Sequence, residues 1–419
     1  VQWFQVDQLT KVHLMSGSMI ARLLAGLLVG ITAASATAEP TPPQKINLFE
    51  AGQNGYGLYR IPGIVVTSKG TILAYCEARK DARTDWGHID VVLRRSTDGG
   101  QTWSPMKKIV ELEGKFTRNP AAVAQGLGKE GEITVNNPVA IADPRPGVVH
   151  FLYCVEYNRL FYMRSEDDGL LFSKPVELTA AVEKVKPSYN WQSFAVGPGH
   201  GLRLSSGRLI TAIWLSTGKG GHAHRPSVIS TIYSDDDGKT WQLGDIIAGE
   251  KKPLVNPSES VLVELTDGRV MINIRSESPE HRRAVAVSPD GSTKWSEPKF
   301  DDALLEPICM ASLIRWKTPQ DSNAGPIVFS NPHNLERAGA KPGQGRDRKN
   351  LALKLSYDDG QTWPVNKILE ADRSAYSDLA VAADGSLLCF YERAVVDEKT
   401  KKRTNYLTVA RVSREWLMQ

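Results

Sequence analysis

Ser96-Thr97-Asp98-Gly99-Gly100-Gln101-Thr102-Trp103 is one copy of a pattern, S-x-D-x-G-x-T-W, that recurs along the chain. It returns complete at 234–241 and 356–363. A weaker copy at 165–172 has Leu171 and Phe172 in the last two places, and a fifth at 288–295 keeps Ser288, Asp290 and Trp295 but rearranges the middle. The copies start at residues 96, 165, 234, 288 and 356, a spacing too even for chance. Self-similarity at a near-fixed period is the mark of a repeat architecture.

The element reads as a hairpin turn. Asp98 can accept backbone N–H bonds inside the turn, and Gly100 can take the positive φ that other residues avoid. Trp103 is placed to start the return strand and to pack its ring between neighbouring sheets. Strand-like runs flank each copy: 91–95 before the first, 228–233 before the third and 350–355 before the fifth. Further apolar runs at 63–66, 71–75, 148–153, 209–214, 260–264, 270–274, 327–329, 379–382 and 387–391 fill the intervals, and long helical periodicity is absent. Each interval is long enough for four short strands, and radial repetition of antiparallel sheets is one way to protect exposed edges. Five copies plus a closing segment from Tyr376 onward predict an all-β, six-bladed β-propeller of four-stranded antiparallel sheets. Its last strand, near 406–412, is expected to pair with residues 46–49.

Composition agrees with a single large β domain. Of 419 residues, 41% are hydrophobic and 23% charged, and 35 Gly and 24 Pro are spread along the chain rather than clustered. A formal charge of +4 is small for this size and gives no reason to expect nucleic-acid binding. Met15 and Met19 are both plausible starts. Arg22, the apolar run 23–31 and Ala36-Thr37-Ala38 then form a secretory signal, with cleavage predicted after Ala38. Residues 1–14 read as translation upstream of the start, so 1–38 is set aside and 39–419 is assigned to the propeller. The apolar run is too short to span hydrocarbon, and no membrane span is expected in the mature chain. The protein is therefore expected to be exported, either to a periplasm or out of the cell. Cys76, Cys154, Cys309 and Cys389 lie far apart, with no metal-site spacing, and read as buried free thiols.

The repeats are Asp boxes (BNR repeats) and resemble those of sialidases. Between them, the mature sequence resembles exo-α-sialidases from end to end. Tyr59-Arg60-Ile61-Pro62 matches the family's Arg-Ile-Pro motif. Sialic acid carries a C1 carboxylate, which a guanidinium fork binds bidentately. Arg275, closing the run 264–275, looks like the second carboxylate-binding arginine, and Arg348 like the third, with Arg346 two residues away as its rival. Tyr376, in Ser374-Ala375-Tyr376-Ser377-Asp378, is the nucleophile that the resemblance implies, and Glu259 its base. A carboxylate nucleophile beside a substrate carboxylate would be repelled, whereas a phenol that loses its proton during attack is not.

The resemblance further implies that Asp85 is the acid/base, on a mobile loop that also carries Asp81 and Asp90. Arg79 is expected to border the carboxylate pocket and Glu392 to pair with Arg60 and orient it. The segment 332–347, rich in Gly, Lys and Arg, reads as an inserted, solvated loop, with shaping of the aglycone side as the alternative. Trp191 and Gln192 are placed in a loop lining the glycerol or leaving-group side. The implied activity is retaining hydrolysis of terminal sialic acid from glycoproteins, glycolipids or oligosaccharides, with no metal or organic cofactor. Transfer of sialic acid, release of an anhydro product and action on a related nonulosonic acid remain open alternatives. So does a non-catalytic propeller that binds glycans or proteins, although such a module has no need to retain all six of these side chains.

Overall fold

Each Asp box folds in the same way, for the same reason. The serine hydroxyl donates to the aspartate carboxylate at 2.7–3.0 Å in all five copies. The carboxylate then accepts backbone N–H groups from the far side of the turn: Gln101 and Thr102 on Asp98, Leu171 on Asp167, Thr240 on Asp236, Thr293 on Asp290 and Thr362 on Asp358. The weak copy at 165–172 thus keeps the geometry without its threonine and tryptophan. Gly99 and Gly100 take φ of 73° and 91°, a region that a side chain would strain.

These turns belong to an all-β chain. The computed structural model describes residues 41–419 apart from 82–83, 250–253, 319–320, 322–323, 340 and 342. The expected upstream residues and secretory signal at 1–38 lie outside the described residues. The first sheet runs Leu58–Val66, Ile72–Arg79, Ile89–Ser96 and Lys107–Lys108 in sequence order. A second follows with Val135–Ala142, Val149–Val155, Arg159–Ser165 and Val176–Glu177, edged by the parallel segment Gly199–His200. The third is built on Ser193–Val196, Leu209–Ser216, Ser227–Ser234 and Gln242–Leu243, with Leu202–Arg203 beside it. The fourth holds Ser260–Glu264, Val270–Ile274, Arg282–Ser288 and Lys299–Leu305.

The last sheet has seven strands because one is shared. Val365–Val381 pairs along its first part with Lys349–Ser356 and along its second part with Leu387–Val396. Ser312–Arg315 and Ile327–Pro332 complete one side. Arg403–Val412 and then Gln44–Glu50 complete the other, with Ile46 opposite Val409 and Phe49 opposite Leu407. The beginning and end of the described chain therefore meet in one ladder, at the residues the sequence predicts.

The core lies between sheets. The Trp241 ring packs 5.7 Å from Tyr162 of the preceding sheet and donates its indole N–H to the Gly238 carbonyl. Burying a ring of this size contributes about 2–3 kcal/mol. The tryptophan thus acts between sheets, but it does not start the return strand. Trp103 precedes Lys107–Lys108 by several residues, and its indole N–H closes the turn on Gly100. All four cysteines are buried and free. Among the described residues, no helix is long and apolar enough to cross a membrane.

Candidate active site

Two β-bulges place the first two candidate residues. In Leu58–Val66 the register slips by one residue between Arg60 and Gly63. Ile61 there sits at φ 59°, a left-handed conformation costly for a β-branched residue. Such bulges bend a strand and re-aim its side chains. Glu392, on Leu387–Val396, holds this bulge: its Oε1 accepts the Ile61 backbone N–H at 3.1 Å and Arg60 Nε at 3.0 Å. A second slip, between Ser374 and Ser377, carries Tyr376.

Glu259 and Arg275 are positioned by a ladder. Ser260 pairs with Ile274, and the Ser258 N–H donates to the Arg275 carbonyl at 3.0 Å. One residue beyond the last pair, Glu259 and Arg275 therefore stand opposite each other, with their side chains joined as an ion pair. Tyr376, only 5% exposed, lies over them. Its hydroxyl is 2.7 Å from both Glu259 carboxylate oxygens, and Arg275 donates to it at 2.8 Å. Arg60 and Arg348 stack on the same ring, with guanidinium carbons 4.8 and 5.2 Å from its centroid. Arg348 is tied by a 2.5 Å hydrogen bond to the Ile308 carbonyl. Three cations drawn from three separate sheets thus surround one phenol.

Asp85 follows Ile72–Arg79 and faces this cluster. Arg79 donates to its carboxylate at 2.7 Å, and Arg60 lies 3.5 Å away. Burial opposes its ionisation, but Arg79 and Arg60 prevail and hold its pKa well below the usual carboxylate range. Arg79 itself is buried against Glu77, with hydrogen bonds of 2.6 and 3.0 Å, and reaches the site through Asp85 rather than lining the cavity. Asp90 is engaged elsewhere, with Tyr56, His88 and Lys108.

A cavity of 170 Å³ opens here, lined by Arg60, Asp85, Glu259, Arg275, Arg348 and Tyr376. Arg346, the rival of Arg348 in the sequence, also lines it, together with Trp214, His222, His224, Arg225, Ser227, Asn256, Ser258 and Glu277, whose part in the site the sequence pattern does not mark. Burial pushes the His224 pKa down to about 4, so this ring is neutral around pH 7. Glu277 joins Arg225 and Arg346 as a local charge cluster and accepts from Asn256 at 2.9 Å. Among the described residues, no group of three or more His, Cys, Asp or Glu side chains could hold a metal ion.

Besides that of Arg79, expected to border the pocket, two placements differ from the sequence expectation. Trp191 does not line the cavity; it is 3% exposed, its indole N–H donates to the Val182 carbonyl, and its ring packs edge-on against Phe194. The described residues of 332–347 are tethered rather than simply solvated: the Gly343 N–H donates to the Glu277 carbonyl, Asn334 bonds Asp347, and Arg346 reaches the cavity.

Residues 70–389 match the family model for a BNR repeat-like domain. A sialidase of Bacteroides fragilis is 30% identical over 379 residues, covering 84% of this chain and 62% of the relative. A sialidase of Micromonospora viridifaciens is 30% identical over 402 residues, covering 88% and 56%. The chain belongs to the BNR-repeat sialidase family. It spans less than two thirds of the length of those two bacterial family members. Its fold is that of a solved microbial sialidase, Hz136, with a TM-score of 0.69 at 24% identity, covering 89% of this chain and 69% of the other.

Proposed function

We propose that this family member is an exo-α-sialidase that hydrolyses terminal sialic acid from glycoproteins, glycolipids or oligosaccharides with retention of anomeric configuration. The observation that carries the reading is the Tyr376 hydroxyl, 2.7 Å from Glu259 and ringed by Arg60, Arg275 and Arg348. The arginines seat the substrate C1 carboxylate. Asp85 gives its proton to the glycosidic oxygen as that bond breaks. The Tyr376 oxygen bonds the anomeric carbon and passes its proton to Glu259. A water then attacks the same carbon and loses its proton to Asp85, while the tyrosyl bond breaks and Glu259 returns the proton to the phenol.

A free phenol titrates near 10, too high to ionise unaided at neutral pH. Glu259 as acceptor and Arg275 as donor supply that assistance. Asp85 starts ionised between Arg79 and Arg60, and a substrate carboxylate on Arg60 weakens that hold and allows Asp85 to take up a proton. Arg79 positions Asp85, and Glu392 positions Arg60.

The same reading counts six blades, with the long sheet divided at the bulge near Tyr376. It also treats residues 1–38 as upstream residues followed by a secretory signal cleaved after Ala38, so that the mature enzyme works in a periplasm or outside the cell. The deciding experiment incubates the purified protein with α2,3- and α2,6-linked sialosides and identifies the product by mass spectrometry. Free sialic acid supports the proposal. An anhydro sugar or a transferred sialoside redirects it within the family, and an unchanged substrate refutes it.

A further inference from the structure

A second cavity, of 380 Å³, adjoins the first along Arg60, Arg346 and Arg348, which line both. Its walls carry eight cationic and three carboxylate side chains. Besides Arg60 and Arg348, the cations are Arg337, Arg346, Lys349, Arg373, Arg393 and Arg403, and the carboxylates are Glu336, Asp347 and Glu392. Those carboxylates are already engaged: Glu336 pairs with Lys349, Asp347 accepts from Asn334, and Glu392 holds Arg60. Arg393 is paired with Glu370. Arg337, Arg373 and Arg403 have no carboxylate within ion-pair distance among the described residues, and all three are exposed. A concave surface with a surplus of one charge concentrates the opposite charge.

Position gives this surplus a meaning. In a sialoside, the anomeric carbon bears both the carboxylate and the bond to the aglycone. With the carboxylate on the arginines and the glycosidic oxygen at Asp85, whose carboxylate is 3.5 Å from Arg60, the aglycone leaves beside an arginine that lines both cavities. We propose that the second cavity is an aglycone subsite for a second anionic group, a carboxylate or a sulfate on the penultimate sugar. The inference rests on the sialidase reading above and deepens it. The cations come from three separate segments, around 337–349, at 373 and at 393–403, so the subsite depends on the tethered loop as well as the strands.

The test uses the full-length protein and the double variant Arg373→Gln/Arg403→Gln, two exposed side chains that take no part in the Tyr376 hydrogen bonds. Three substrates are compared: a neutral aryl sialoside, an α2,8-linked disialyl sugar, and a sialoside sulfated on its penultimate sugar. Loss of two exposed charge pairs is expected to lower kcat/KM on an anionic aglycone by about fivefold to tenfold, chiefly through KM. Turnover of the aryl sialoside stays as in wild type, and raising the salt concentration narrows the difference. A loss confined to the disialyl sugar assigns the subsite to carboxylates, and a loss confined to the sulfated sialoside assigns it to sulfates. Unchanged kcat/KM on both anionic substrates, with aryl sialoside turnover intact, overturns the subsite alone. No turnover of the aryl sialoside by wild type overturns the activity, and this inference with it.

Discussion

The Tyr376 hydroxyl is held between both oxygens of Glu259, each at 2.7 Å, although 117 residues separate the two in sequence. A phenol buried on a carboxylate and touched by Arg275 has a proton acceptor in place before any substrate arrives. Glu259→Gln keeps the shape and removes the acceptor, so turnover of an aryl sialoside is expected to fall by about 10²–10⁴-fold. Tyr376→Phe keeps the buried ring and removes the attacking oxygen, so the loss is larger while the melting temperature changes little. Near-normal turnover by Tyr376→Phe contradicts the nucleophile assignment.

Asp85 gives a prediction that depends on the leaving group. An aryl leaving group departs with little protonation, whereas a sugar hydroxyl needs a proton. Asp85→Ala should therefore cost about 10²–10⁴-fold on a natural sialoside and markedly less on an activated aryl sialoside. Its depressed folded-state pKa also contributes stability that is present above pH ~4 and lost as pH falls through the folded value. Acid-unfolding curves of Asp85→Asn should converge with wild type as that pH is approached. Equal kinetic losses on the two substrate types argue against the acid role.

Arg283 and Glu306 form a fully buried ion pair at 2.6 Å. Arg283 also donates to Asn273 and to the Cys309 carbonyl, while Glu306 accepts the Cys309 N–H at 2.8 Å. The pair therefore fixes the segment whose Ile308 carbonyl anchors Arg348. Glu306→Ala leaves a buried guanidinium uncompensated and should destabilise the fold by about 3–5 kcal/mol. Denaturant unfolding measures this, and a rise in KM for sialosides reports the loosened Arg348. A loss below about 1 kcal/mol would show that the pair is dispensable.

Burial raises the Cys154 thiol pKa to about 12 and that of Cys309 to about 11, and pushes Cys76 and Cys389 up as well. A thiol-reactive dye should titrate no sulfhydryl in the native protein and four after unfolding. The melting temperature should be the same with and without reductant. Early labelling, or stabilisation under oxidising conditions, contradicts four protected thiols.

The repeats were legible because each Asp box is a local device: its hydrogen bonds run between residues only a few positions apart, so a string of letters contains the whole structure. Arg60 and Tyr376 were legible through motifs, but the bulges that aim them depend on pairing with Glu77 and Arg393, which adjacent sequence does not reveal. His222, His224, Arg225 and Glu277 reach the cavity from loops that carry no pattern, and only the assembled sheets bring them in. Trp191 misled because an aromatic ring in a loop looks available until its neighbours are known. Residues 332–347 misled for the reverse reason, since Gly and charge suggest solvent while Glu277 and Asp347 supply tethers.

The most direct measurement incubates the protein with a sialosyl fluoride bearing fluorine at C3, which forms the glycosyl-enzyme readily and releases it slowly. Peptide mapping by mass spectrometry should then find one added sialyl group, on the peptide containing Tyr376, with loss of activity in step. An adduct on another residue, or an enzyme that turns over the reagent by inversion without ever carrying the sugar, would contradict the account.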